Sequence, residues 1–126
     1  MDGKTMQRQA ADRTDQLPRA ELTHPFGVEW DVWKVRDKVF MLQTEVTGEP
    51  LVILKAEPSD ARALRQVYDE ITPGYHMNKR HWITLHAGEH LEPDMVDDLV
   101  TGSYLLVVSK LPKSRQPVDP ETFAQN

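Results

Sequence analysis

The sequence predicts an α+β domain in which an antiparallel sheet is backed by helices on one face. Three observations predict it. Three runs rich in valine, tryptophan and other strand formers follow one another through connections of three or four residues, and connections that short make consecutive strands antiparallel neighbours. Two longer segments carry apolar residues at helical spacing. A fourth, alternating run lies between those two segments. The predicted order is α–β–β–β–α–β–α, with the helices as one layer against the sheet.

In chain order, "MQRQAADRTDQL" (6–17) forms a short helix with Met6, Ala10 and Leu17 on one side. Pro18 limits it, because the residue before a proline avoids helical angles. "THPFG" (23–27) is a turn punctuated by Pro25 and Gly27. The strands are "VEWDVWKV" (28–35), "VFMLQTEV" (39–46) and "LVILKA" (51–56), joined by "RDK" and "TGEP". "EPSDARALRQVYDEI" (57–71) is the second helix. Pro58 suits its first turn, where a missing N–H costs nothing, and Ala61, Leu64, Val67, Tyr68 and Ile71 form its apolar face. Pro73 and Gly74 stop it. "HWITLHA" (81–87) is the fourth strand. The last helix runs from about Pro93 to Lys110, with an apolar stripe of Val96, Leu99, Val100, Tyr104, Val107, Val108 and Leu111. Asp94, Asp97 and Asp98 near its start and Lys110 at its end suit the helix dipole. The chain divides into a polar N-terminal segment (1–16), a single domain (17–113) and a polar, proline-bearing tail (114–126) that is expected to be loose.

The totals bound the function. A chain of 126 residues suits one core. Its mean hydropathy of −0.57 is that of a soluble globular protein with polar ends. The net charge of −5 provides no global field for nucleic acid, so any polyanion has to be met by a local patch. The absence of cysteine excludes disulfides, thiolate metal sites and a cysteine nucleophile. No apolar run approaches the roughly 18 residues of a membrane span, and the first residues lack the apolar segment of a secretory signal. A cytoplasmic, bacterial protein with no membrane partner is the expectation.

No enzyme signature is present. HExxH, GxGxxG and the phosphate-binding loop are all missing, and Ser59, Ser103, Ser109 and Ser114 have no nucleophile elbow around them. The Ser103 hydroxyl is expected to bond a backbone carbonyl. His76, His81, His86 and His90 are metal-ligand types, but His81 and His86 are five apart on a strand and so point to opposite faces. No catalytic residue, cofactor or metal is expected.

The stretch "PGYHMNKRHWITLH" (73–86) holds Lys79, Arg80 and three histidines with no acid among them. Cations, the Asn78 amide and the aromatics Tyr75, His76 and Trp82 fit phosphate contacts plus base stacking. Lys34, Arg36 and Lys38 surround the first hairpin turn and Lys55 ends the third strand, so a shared positive rim is possible. The alternative is that Tyr75, His76 and Trp82 pack an ordered loop while Lys79 and Arg80 bond helix carboxylates. Composition alone favours that alternative. Trp30 and Trp33 are three apart in a strand and face opposite sides. One enters the core under the helices and the other lies on the open sheet face, where it offers a protein-binding or homodimer surface.

"HPFG" (24–27), "VWKVRDKVF" (32–40), "LKAEP" (54–58), "PGYHMNKRHW" (73–82) and "SYLLVVSKLPK" (103–113) occur in this order. Together they resemble the MmcQ/YjbR family of small bacterial proteins, over roughly residues 17–115. The resemblance implies a compact fold of the CyaY type and a DNA-binding role, the label commonly given to members on the strength of a proposed double wing of hairpins. Lys34, His76, Asn78, Lys79, His81 and Trp82 are the positions carried over; Arg80 joins them by its charge. Asp37 departs from the pattern, standing where relatives usually have glycine, and adds an acid to the first hairpin. Leu105 replaces a usually polar residue and extends an apolar surface. The leading reading is a DNA-binding or other nucleic-acid-binding module with a local basic patch, whose binding is weak and salt-sensitive. The alternatives are a protein-interaction module on the open sheet face and a small-ligand site near His76 and His81.

Overall fold

The computed structural model describes residues 1–123. Six strands form one antiparallel sheet, β1 (Ala20–Thr23), β2 (Trp30–Val35), β3 (Lys38–Thr44), β4 (Leu51–Lys55), β5 (Ile71–Pro73) and β6 (Trp82–Leu85), in the spatial order β1-β2-β3-β4-β6-β5. The helices are α1 (Gly3–Thr14), α2 (Pro58–Val67) and α3 (Pro93–Ser109), and a short 3-10 turn covers Lys113–Arg115. No helix among the described residues is long and apolar enough to cross a membrane.

The predicted strands and helices are present, with two additions. β1 adds an edge strand beyond β2, pairing Ala20 with Val35 and Thr23 with Val32. β5 takes Ile71 out of the predicted second helix. That helix ends at Val67, and Ile71 pairs with Leu85 on β6. Ladder bonds and burial of Ile71 win over its helical spacing, while Val67, counted on the apolar face, is 71% exposed.

The ends are also more integrated than their polarity suggests. Asp2 caps α1 by accepting from the Thr5 N–H at 2.7 Å. Met6 and Ala10 are fully buried, as is nearly all of Leu17. Gln9 donates to Asp97 at 2.9 Å and Arg13 to Thr101 at 2.8 Å, fixing α1 along α3. Rather than hanging loose, residues 114–123 return to the core: Val118 and Phe123 pack against it, and the Phe123 ring meets Tyr104 at 6.2 Å. Residues 124–126 of the predicted tail lie outside the described residues.

α1 and α3 cover one sheet face, and α3 is the centre of that layer. The Tyr104 ring is buried, edge-on to Phe40, and its hydroxyl donates to the Pro18 carbonyl at 2.6 Å; burial pushes its pKa up to about 12. Beneath it β3 carries a bulge. Trp33 pairs with Met41 and Lys34 with Val39, which leaves Phe40 as the extra residue. Phe40 and Met41 consequently both enter the helix-side core, while Val39 and Leu42 face the other way. The bulge interrupts the β3–β4 ladder, and Ser103 fills the break. Its hydroxyl donates to the Phe40 carbonyl at 2.5 Å and accepts the Lys55 N–H at 2.8 Å. The expected carbonyl partner of Ser103 is thus on the sheet rather than in its own helix.

The second sheet face is apolar as well. Val32, Leu42, Ile53 and Trp82 form a separate buried cluster there. It is closed by the chain itself: the 74–81 loop joining β5 to β6 folds back so that Tyr75 and Met77 pack on the cluster. Gly74 allows the fold-back, since a Cβ there would come within 2.5 Å of the Trp82 Cβ. Thr84 anchors it, accepting from the Tyr75 N–H at 2.8 Å and donating to the Pro73 carbonyl at 3.1 Å.

Two substitutions test these joints. Ser103→Ala strands a buried carbonyl and a buried N–H, and is expected to cost about 1–3 kcal/mol in denaturant unfolding; a loss under about 0.5 kcal/mol would mean the two groups re-pair directly. Thr84→Val keeps the shape and removes the anchor. Hydrogen exchange at Tyr75 and Met77 is expected to quicken while α3 stays protected; unchanged exchange in the loop would assign its order to apolar packing alone.

Candidate nucleic-acid interface

The loop builds the site from its own bonds. The Asn78 side-chain oxygen accepts from the Arg80 N–H at 2.9 Å, and the Asn78 carbonyl accepts from Trp82 N–H at 3.0 Å. The Lys79 ammonium donates to the Gly74 carbonyl. His76 sits at φ 59°, a left-handed conformation disfavoured for side chains with a Cβ. This turn carries the loop across the sheet rather than off its edge. Tyr75 starts beside β6 and meets Trp30 on β2, three strand spacings or roughly 14 Å away, helped by the length of both side chains.

Three aromatic rings meet there. Trp30 and Tyr75 lie nearly parallel, 12° apart with centroids separated by 6.2 Å. The His76 ring is tilted against both, 4.1 Å from Tyr75 and 6.3 Å from Trp30. Trp30 and Tyr75 are half-buried and His76 is exposed.

Cations share the face, with Lys34 and Lys55 four residues along the strands from the Trp30 row. Lys34 lies on β2 two positions after Val32 and shares its face. Lys55 pairs with Trp82 across β4 and β6, with its ammonium over the Trp82 ring at 5.8 Å from the centroid. Lys34 is opposite Val39, and Lys55 flanks the same end of β3, so their backbones are about two strand spacings apart, roughly 10 Å. Lys79 and Arg80 are on the exposed part of the loop beside exposed His81, with the Lys79 ammonium turned back on a backbone carbonyl rather than on the expected helix carboxylate. No acid occurs from residue 71 to 88. Acids share the face too: Glu21 is directly across from Lys34, and the Glu49 carboxylate bonds His86, which alternates onto this face after Trp82 and Thr84.

The predicted residues therefore separate into two groups. Lys34, Lys79, Arg80, His76 and His81 are on the surface of one face or its covering loop. Trp82 is 8% exposed and cannot offer its ring to a base; it is core under Lys55. Asn78 spends its side-chain oxygen on the loop's own backbone. Trp30, Tyr75 and Lys55 join the site through geometry. The signal for the first two was their aromatic character, but which face each strand residue occupies becomes visible only with the register.

The readings that rested on an open face change accordingly. Trp33 is in the helix-side core and Trp30 is part of the aromatic group, so neither is a free apolar patch. The exposed apolar side chains lie elsewhere, Leu22, Phe26 and Val28 among them. The remaining histidines have structural partners. His24 bonds Asp31 at 2.8 Å, and His86 bridges Glu49 and Thr72. Buried Glu70 accepts from the His90 N–H at 2.8 Å; that bond first, then Glu70's own backbone N–H and the His90 side chain, holds the carboxyl below its ordinary value against the opposing effect of burial. Among the described residues no group of three or more His, Asp or Glu is placed to hold a metal ion.

Comparison with known proteins bears on this arrangement. The YjbR family model matches residues 15–106. Protein YbdF of Escherichia coli O157:H7 is 41% identical over 116 residues, covering 92% of this chain and 95% of YbdF. YjbR of Escherichia coli K12 is 36% identical over 83 residues, 66% of this chain and 70% of that protein. The crystal structure of Deinococcus radiodurans protein DR2400, described as a DUF419 domain, superposes with a TM-score of 0.76 at 33% identity, covering 82% of this chain and 80% of that one. A Pseudomonas syringae protein solved by crystallography superposes at 0.65 with 25% identity, covering 84% of this chain and 98% of that one. With most of the domain matched by the family model and nearly all of it by a relative above 40% identity, the chain belongs to the YjbR family.

Proposed function

We propose that this chain is a nucleic-acid-binding module whose contact surface is the loop-covered face of the sheet. The observation that carries the reading is the gathering of Lys34, Lys55, Lys79 and Arg80 on and around one face of a chain whose net charge is −5. Phosphate neutralisation supplies most of the affinity of such surfaces, and a single side chain neutralises about one phosphate. Exposed His76 and His81 lie on the same loop as Lys79 and Arg80.

The small number of cations limits the strength. Four neutralised phosphates give a slope of log K against log salt of about −3 on a single strand and somewhat steeper on duplex. Glu21 opposite Lys34 subtracts from that figure. Weak binding that disappears near physiological salt is the consequence.

Fluorescence anisotropy with labelled oligonucleotides over a salt series tests the reading. Wild type is expected to bind at low salt with a slope near −3. Lys79→Glu/Arg80→Glu is expected to lose at least tenfold in affinity, and its slope should fall by about half. Absence of binding at low salt, or a double variant that binds as well as wild type, would contradict the reading.

A further inference from the structure

Resting on the nucleic-acid reading above, we propose that the bound species is a single strand, one base of which stacks on the Trp30–Tyr75–His76 group while phosphates along the strand meet Lys79, Arg80 and, further on, Lys55. The two parts come from different observations. The cations argue for a polyanion. The rings argue for exposed bases, because an exposed imidazole beside a stacked, half-buried Trp30–Tyr75 pair can meet the face of an unpaired base, and such stacking tolerates any base.

A duplex does not present that match. Its base faces are covered by their neighbours, and only edges are reached from the grooves, by an inserted helix or a projecting two-stranded ribbon. Here the rings and cations lie on a sheet face and the loop across it. The nearest projecting ribbon is the β2–β3 hairpin, and it is poorly furnished for duplex. Its two-residue turn, Arg36 and Asp37 at φ 48° and 68°, puts an acid at the tip and ties the Arg36 guanidinium to the Arg115 carbonyl at 3.1 Å.

His76 is the second pointer. Its backbone occupies a conformation in which glycine would be relaxed. The fold keeps a ring there nonetheless, 4.1 Å from Tyr75. The ring is exposed at this position and so is open to contact.

The test compares three ligands of equal length at low salt: oligothymidylate, an abasic strand with the same phosphates, and duplex DNA. Wild type is expected to prefer oligothymidylate over the abasic strand by roughly 5- to 150-fold for one stacked base, and over duplex. Tyr75→Leu, which keeps apolar bulk on the second cluster, is expected to lower oligothymidylate affinity to the abasic level and leave the abasic affinity unchanged. His76→Gly is expected to melt no lower than wild type and still lose affinity for oligothymidylate. Equal binding of oligothymidylate and abasic strand, or tighter binding of duplex, would overturn the stacking proposal and leave the electrostatic reading standing. No binding of any of the three would overturn both. The wild-type comparison decides the matter even if Tyr75→Leu fails to fold.

Discussion

A sheet that is apolar on both faces has to be covered on both, and the rest of this structure follows from how that is done. The helix layer buries Trp33, Val35, Phe40, Met41, Val52 and Leu54 on one side. On the other side Val32, Leu42, Ile53 and Trp82 would face water without the 74–81 loop. Burying a large apolar side chain is worth about 1.5–3 kcal/mol, so four of them offset much of the backbone entropy of ordering an eight-residue loop. Once the loop lies across the face, its outward residues have fixed places. Tyr75 and His76 arrive at Trp30, and Lys79 and Arg80 stand at the rim. The site is a by-product of closing the second core.

The bulge at Phe40 serves the same division. In a regular strand Phe40 and Met41 would point to opposite faces. The extra residue sends both inward to Tyr104 and the helix layer, and it returns Val39 and Leu42 to the loop side. Ser103 makes the arrangement tolerable by occupying the broken ladder with one hydroxyl that serves both orphaned backbone groups. Helix α3 therefore carries the main core and also the joint that lets the sheet feed two cores at once.

Much of this is legible in the sequence. The Trp30/Trp33 alternation gives opposite faces correctly, and the stripe on the last helix gives its length to within a residue. What escapes does so for physical reasons. β1, "AELT", is only four residues long, its one large apolar side chain, Leu22, stays exposed, and it depends on pairing with β2. β5 is three residues long, and its one buried apolar residue, Ile71, also fits a helical period. The loop's role is hidden by composition: among the polar residues of "YHMNKRH" only Tyr75 and Met77 turn inward, two apart, a period too short to stand out. Whether Trp82 or Ile83 faces the main core is not decidable from alternation when both faces are apolar. The basic stretch posed the choice between exposed surface and ordered loop, and the fold combines both. Trp82, Asn78 and Met77 order it, and His76, Lys79, Arg80 and His81 are left outside.

The central claim is that this loop-covered face is where a nucleic-acid strand lies. The most direct measurement is a set of proton–nitrogen correlation spectra of labelled protein titrated with short oligothymidylate. The account predicts that the Trp30 indole signal and the backbone signals of Tyr75, His76, Lys79, Arg80 and Lys55 move together, while the Trp33 indole, enclosed under the helices, stays in place. Movement centred on Leu22, Phe26 and Val28 or on the outer side of α3, with the loop signals unmoved, would contradict it.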